Sequence, residues 1–449
     1  GACGAVGEAA EAHLALAQSA MNLNRHVEAD HHYSAALGFL DENDARRRSL
    51  ALTKRAKARY QLYRAGDALE DLKSARDIAM GLGDDALFAE ILLEEATALD
   101  HANDYAASAE RVELARPVVE RLNDRALTVR FWVALGRTRW RQERVTEGIE
   151  LLSRGADGAK ANGDYGTRVV ALLMLSCSLA VAGRVDEAIV RYIEVIELCM
   201  KVEDRLHLGM AYLNRVLLWL ARKSLREGIR DLRRAIQLAR DVGNPWLERA
   251  ATANTAELLH WSGEHDEAVA LARRSCVLAE RFVERPVYED WLLLARIQLM
   301  RGHYSSARTA LRKISDRCSP SSASPTALAL FRTIELVLRE LAGPPSDREE
   351  ASSIPLPSAA GELVSSSQLG AGWSGDGDWE DVLAKAQSSL LVEELLEILY
   401  WRARVALHRG RLSEAAAALQ QAKEPLAGSP GFEARFRQLE EGFQAALAS

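Results

Sequence analysis

The stretch from Arg130 to Arg141, RFWVALGRTRWR, gathers the side chains with the most evident binding chemistry in the chain. Arg130, Arg137, Trp140 and Arg141 recur at helical spacing and fall on one face, which places guanidinium groups beside an indole. Guanidinium forks grip carboxylates or phosphates through charge-assisted hydrogen bonds, while an indole offers a surface for stacking. The partner this predicts is a protein or peptide with acidic and hydrophobic residues. On this reading Arg137→Glu should weaken binding at least tenfold without unfolding the protein, and Arg154→Glu should serve as a silent control.

Signatures of catalysis are lacking. The sequence contains no Walker loop, GxGxxG fingerprint, GxSxG elbow, HExxH helix or kinase motif, so no enzyme activity, catalytic residue or cofactor is expected. His26, Glu28, His31 and His32 fall near one helical face but do not form the closed set that zinc requires. GDGDWED at 375–381 lacks the spacing and terminal Glu of a helix-loop-helix calcium site. No metal site is therefore assigned. A basic run holds Arg222, Lys223, Arg226, Arg230, Arg233 and Arg234, but Glu227 and Asp231 interrupt it. With 57 basic and 64 acidic residues and a net charge of -7, no bulk field favours nucleic acid or anionic lipid.

These side chains need helices to position them, and the helices recur. Ala29, Ala68, Ser108, Gly148, Ala188, Gly228, Ala268 and Ala307 are small residues 39 or 40 apart, each opening a second helix of a pair. Ala17, Ala56, Ala96, Gly136, Ser176, Val216, Ala256 and Ala295 form a parallel ladder in the first helices. A third ladder, Asp44, Asp84, Asp124, Asp164, Asp204, Asn244 and Glu284, marks the joints at a spacing of 40, where polar side chains can cap the incoming helix. The pattern predicts an all-α solenoid of about ten helix-turn-helix units with a C-terminal capping helix and a continuous core.

Trp132, Leu135 and Gly136 reproduce the W-x2-L-G signature of the tetratricopeptide repeat, echoed by Trp291, Leu294 and Ala295. The array resembles that family, in the longer form of about 40 residues found in large bacterial signalling kinases and ATPases. The resemblance covers residues 6 to 316 strongly. It implies a right-handed superhelix whose first helices line a concave peptide-binding groove. Groove positions counted from the small residues are Arg130, Arg137, Trp140 and Arg141, then Leu213 and Leu217, then Glu257, His260 and Trp261. The function so implied is a protein-interaction scaffold or regulatory sensor within a larger signal-transduction protein. A small-molecule-sensing or enzymatic array and a nucleic-acid-binding repeat remain as alternatives.

Residues 1–316 are read as eight helix pairs, and 317–342 as a loop and the first helix of a ninth. The Ser, Pro and Gly composition of 343–377 predicts a disordered insertion, with 378–449 completing pair nine, pair ten and the cap. Five scattered cysteines without a CxxC pair favour a reducing compartment, and no apolar run of about 18 residues indicates a membrane span. The expected location is cytoplasmic. A chain opening on Gly1 without a signal peptide is read as a truncated piece of a longer protein.

Overall fold

The computed structural model describes residues 2–282, 287–342, 379–386 and 391–448, and every regular element among them is helical. Five regular pairs come first: α1 (Ala2–Asn22) with α2 (His26–Phe39), α3 (Ala45–Gln61) with α4 (Ala65–Leu82), and α5 (Asp85–His101) with α6 (Tyr105–Leu122). They continue as α7 (Arg125–Arg141) with α8 (Val145–Asn162), and α9 (Tyr165–Val181) with α10 (Val185–Lys201). The sixth pair has a broken first helix, α11 (Arg205–Asn214) and α12 (Val216–Ala221), followed by α13 (Leu225–Val242). Then come α14 (Pro245–Ser262) with α15 (His265–Phe282), and α16 (Glu289–Met300) with α17 (Tyr304–Arg317). Helix α18 (Pro325–Val337) runs into a π turn at Leu338–Ala342 and packs on α19 (Trp379–Ala386). The chain closes with α20 (Val392–His408), α21 (Leu412–Leu426) and α22 (Pro430–Ala448). The expected insertion at 343–377, and Glu284 of the joint ladder, lie outside the described residues.

The small-residue ladders mark where paired helices touch. All sixteen positions are buried. A Cβ on Gly136 would sit 2.8 Å from Leu152 Cγ and 3.2 Å from the Gly148 carbonyl, so α7 and α8 cross at a distance only glycine allows. The exception in size is Val216, and there the first helix breaks. Tyr192 donates its hydroxyl to the Asn214 carbonyl at 2.8 Å, while the Leu218 amide turns to the Arg215 carbonyl at 3.0 Å. A side chain inserted into the i→i−4 ladder and a β-branched residue at the crossing together account for the interruption.

The joints cap as the ladder predicts. Side chains of Asp84, Asp124, Asp164, Asp204 and Asn244 accept from the amides of Leu87, Leu127, Thr167, His207 and Leu247 at 2.7 to 3.1 Å. Asp44 differs: its side chain makes no cap bond and instead accepts from Arg47 at 3.0 Å. Within each of the first eight pairs, one residue of the turn takes positive φ, at Asn24, Tyr63, Asn103, Glu143, Gly183, Lys223, Gly263 and Gly302. The geometry repeats even where the residue is costly.

The described contacts divide the chain into two compact bodies, meeting at Ala251 and Thr252 within α14. In the N-terminal body the core is a succession of clusters, from Ala17, Ala29 and Tyr33 through Leu72 and Ile91, then Leu92 and Phe131, to Leu152, Leu172 and Tyr192. Phe88 packs against two successive clusters, so repeats two to four share apolar contact without a gap.

Candidate functional site

In the N-terminal body the first helices face the inside of the winding. Asn24, in the turn of the first pair, donates to Asp204 at 3.4 Å, and Asn244 donates to the Gln61 carbonyl at 3.5 Å. Lys57 of α3 lies within electrostatic reach of Asp164, whose carboxyl is kept low by Thr167, Arg130 and Lys57 against the opposing effect of burial. Residues three to five repeats apart thus approach one another on this face.

The structure brings Arg130, Arg137 and Arg141 to this face, each already paired. Arg130 donates to Glu90 at 3.1 Å and approaches Asp164 at 3.8 Å, with its side chain about half exposed. Arg137 Nε stands 2.6 Å from Asp100 Oδ2, and its Nη2 donates to Thr97 Oγ1 at 3.2 Å. Arg141 pairs with the second oxygen of Asp100 and lies over the Tyr105 ring, 4.1 Å from its centroid. Asp100 is only 8% exposed, so the shared carboxylate is an interior anchor between α5 and α7. Trp140, in the same helix, is half-buried.

A second set of residues on this face went unanticipated. Glu94 accepts from the Tyr60 hydroxyl at 3.0 Å and pairs with Lys57 at 3.6 Å. The Tyr60 ring stacks on His101 at 4.8 Å, and burial, reinforced by Arg137 and Arg141, pushes the imidazole pKa down to about 4. The signal was in the sequence: Glu90 and Arg130, or Thr97 and Arg137, are one period of 40 apart and therefore neighbours on adjacent first helices.

In repeats five and six the same face turns apolar. Val170, Met174, Met210 and Leu217 are half-buried against the cluster of Leu172, Leu175 and Leu218, whereas Leu213 is buried. The other named positions belong to the C-terminal body and have a different fate. His260 and Trp261 are at most 1% exposed, and Glu257 accepts from Arg296 at 2.5 Å. Arg296 also donates to Glu397 at 2.7 Å, and His260 Nε2 lies 3.3 Å from the same carboxylate. Burial alone would raise Glu397, but Arg296 and His260 hold it far below the usual carboxylate range. Helix α22 closes over this corner: Arg435 donates to the His260 carbonyl at 2.6 Å, and a Cβ on Gly431 would fall 2.1 Å from the Trp261 carbonyl oxygen. Two of the residues read as groove lining are thus covered by the chain's own C-terminal helix.

Among the described residues no three His, Cys, Asp or Glu side chains are placed to hold a metal. His26 is buried, while Glu28 is exposed and pairs with Arg25. Of the basic run, Arg222 approaches Asp186 at 3.6 Å and Arg234 approaches Asp231 at 3.9 Å. No described helix is long and apolar enough to cross a membrane.

No family model and no curated protein matches this sequence. Solved structures do resemble the fold. A Rap protein complexed with Competence and Sporulation Factor aligns over 97% of this chain and 99% of its own, with 10% identity and a TM-score of 0.52. Aspartyl phosphate phosphatase F from Bacillus subtilis aligns over 86% and 94%, with 12% identity and a TM-score of 0.52. A signal-transduction ATPase with a tetratricopeptide repeat sensor from Pyrococcus horikoshii aligns over 62% of this chain at 15% identity and a TM-score of 0.44; the alignment spans 42% of that protein. The chain therefore has the fold of an all-helical array of tetratricopeptide type.

Proposed function

We propose that the chain is a regulatory scaffold that binds a peptide or protein segment on the first-helix face of its N-terminal body, acting by binding rather than catalysis in a cytoplasmic signalling protein. The observation that carries this reading is the strip of Val170, Met174, Met210 and Leu217, apolar and still partly exposed on the inside of the winding. Methionines adapt to irregular apolar surfaces, which suits a groove that accepts side chains from a partner. Arg130 is the cation on this face best placed to choose the partner, because its half-exposed pair with Glu90 can exchange for an incoming carboxylate at little cost. Arg137 and Arg141 contribute by fixing α5 against α7 through Asp100. The fold shared with a Rap protein solved with Competence and Sporulation Factor supports the same reading.

A displayed peptide library selected on the full chain tests it. Enriched peptides should carry apolar anchors, and their affinity should fall at least tenfold for Met210→Asp and severalfold for Arg130→Glu, at unchanged thermal midpoints. Failure to enrich any sequence, or equal affinity for wild type and Met210→Asp, would remove the groove reading.

A further inference from the structure

A cavity of about 350 Å³ opens between α6, α7 and α8, on the side of α7 turned away from Arg130, Arg137 and Arg141. Its wall is made by Phe131, Trp132, Leu135 and Leu151, and its rim by Arg116 and Arg154. Pro117 removes one backbone donor from α6 beside it, so this helix cannot pack there with an unbroken ladder. Trp132 is the signature tryptophan of the repeat. Here it remains half-buried and its ring carries Arg154, whose guanidinium carbon lies 4.1 Å from the ring centroid.

The two rim cations differ. Arg116 lies over Phe131 at 5.3 Å, but its charge is met by Glu113, which accepts at 2.8 and 3.2 Å. Arg154 has no carboxylate partner among the described residues and is exposed, held in place by Trp132 alone. A cavity floored by aromatic and aliphatic carbon, with one oriented and uncompensated guanidinium at its mouth, is complementary to an apolar group attached to an anion.

We infer that this cavity receives one bulky apolar side chain of a partner protein together with an adjacent carboxylate, which pairs with Arg154. The site lies apart from the first-helix groove and does not depend on it. Ring stacking on Trp132 and burial against Leu135 and Leu151 hold the side chain; Arg154 selects the charge. Glu120 on the rim disfavours a second anion.

The probe is N-acetyl-phenylalanine as its carboxylate, with N-acetyl-phenylalaninamide as the uncharged control, added to the 449-residue chain labelled with 5-fluorotryptophan. The fluorine resonance of residue 132 is assigned by its loss in Trp132→Phe. The carboxylate should shift that resonance and bind at least fivefold tighter than the amide, and Arg154→Gln should abolish the preference while leaving the resonances of the other tryptophans in the free protein unmoved. An unmoved resonance at saturating probe, equal affinity for acid and amide, or a preference that survives Arg154→Gln would each overturn the assignment. Sedimentation of wild type and Arg154→Gln covers the remaining occupant: a dimer dissolved by the substitution would place a second copy in the cavity and overturn it as well. Loss of peptide binding by Met210→Asp leaves this readout unchanged, so the two sites fail independently.

Discussion

Arg137 shows how a residue selected for its binding chemistry becomes structural once its neighbours are known. Its Nε stands 2.6 Å from Asp100, a carboxylate 8% exposed and shared with Arg141. Reversing the charge leaves two carboxylates facing each other in the interior, so Arg137→Glu should cost about 3 to 5 kcal/mol and lower the melting midpoint of the N-terminal body. Urea titration followed by circular dichroism checks this, and an unchanged midpoint would return Arg137 to the groove. Arg154→Glu is no silent control, because Arg154 rests on Trp132. His101 adds a pH dependence. Its folded pKa of about 4 lies below the ordinary 6.5, so the stability it contributes is present above pH 6.5 and is lost as pH falls toward 4. His101→Gln should remove about 1 to 3 kcal/mol of the acid-induced loss between those values. Parallel stability profiles for the two proteins across that window would count against it.

At the scale of elements, the contact most dependent on one residue is the seat of α22. Gly431 lies so close to the Trp261 carbonyl that any side chain must push the helix away, and Arg435 then loses its bond to the His260 carbonyl. Gly431→Val should therefore raise amide exchange in α22 and at the end of α14 by at least tenfold, while exchange in α1 to α10 stays at its wild-type rate. Protection retained in α22 would show that its seat is not set by this glycine. The broken first helix of pair six follows the same logic in natural form, since Val216 stands where the other repeats place Ala, Gly or Ser.

At the scale of the whole molecule, the N-terminal body is held by contacts beyond those between adjacent repeats. Asp124 and Asp204 occupy equivalent joints and make the same cap bond, to Leu127 at 2.7 Å and to His207 at 3.1 Å. Asp204 also accepts from the His207 ring at 2.6 Å and from Asn24 at 3.4 Å, linking the first repeat to the sixth. Asp124→Ala should cost about 1 kcal/mol, the usual worth of a cap, and Asp204→Ala about 1 kcal/mol more. Amide exchange in α1 and α2 should rise only for Asp204→Ala. Equal costs and unchanged exchange would mean that the winding is set by nearest neighbours alone.

The sequence by itself determined the repeat, because three ladders with one period can be satisfied only by stacked helix pairs whose small residues meet and whose joints are capped. It also determined, without its being recognised, that Glu90 would meet Arg130 and Thr97 would meet Arg137, since residues one period apart are neighbours in any such stack. Tertiary structure decided what period alone cannot encode. That Asp100 would hold two arginines follows from how α7 packs on α5, and that His260 and Trp261 would be covered follows from where α22 comes to rest. Repeat position fixes the face on which a side chain starts; burial, and the partner it finds from elsewhere in the chain, fix whether that side chain remains free to bind.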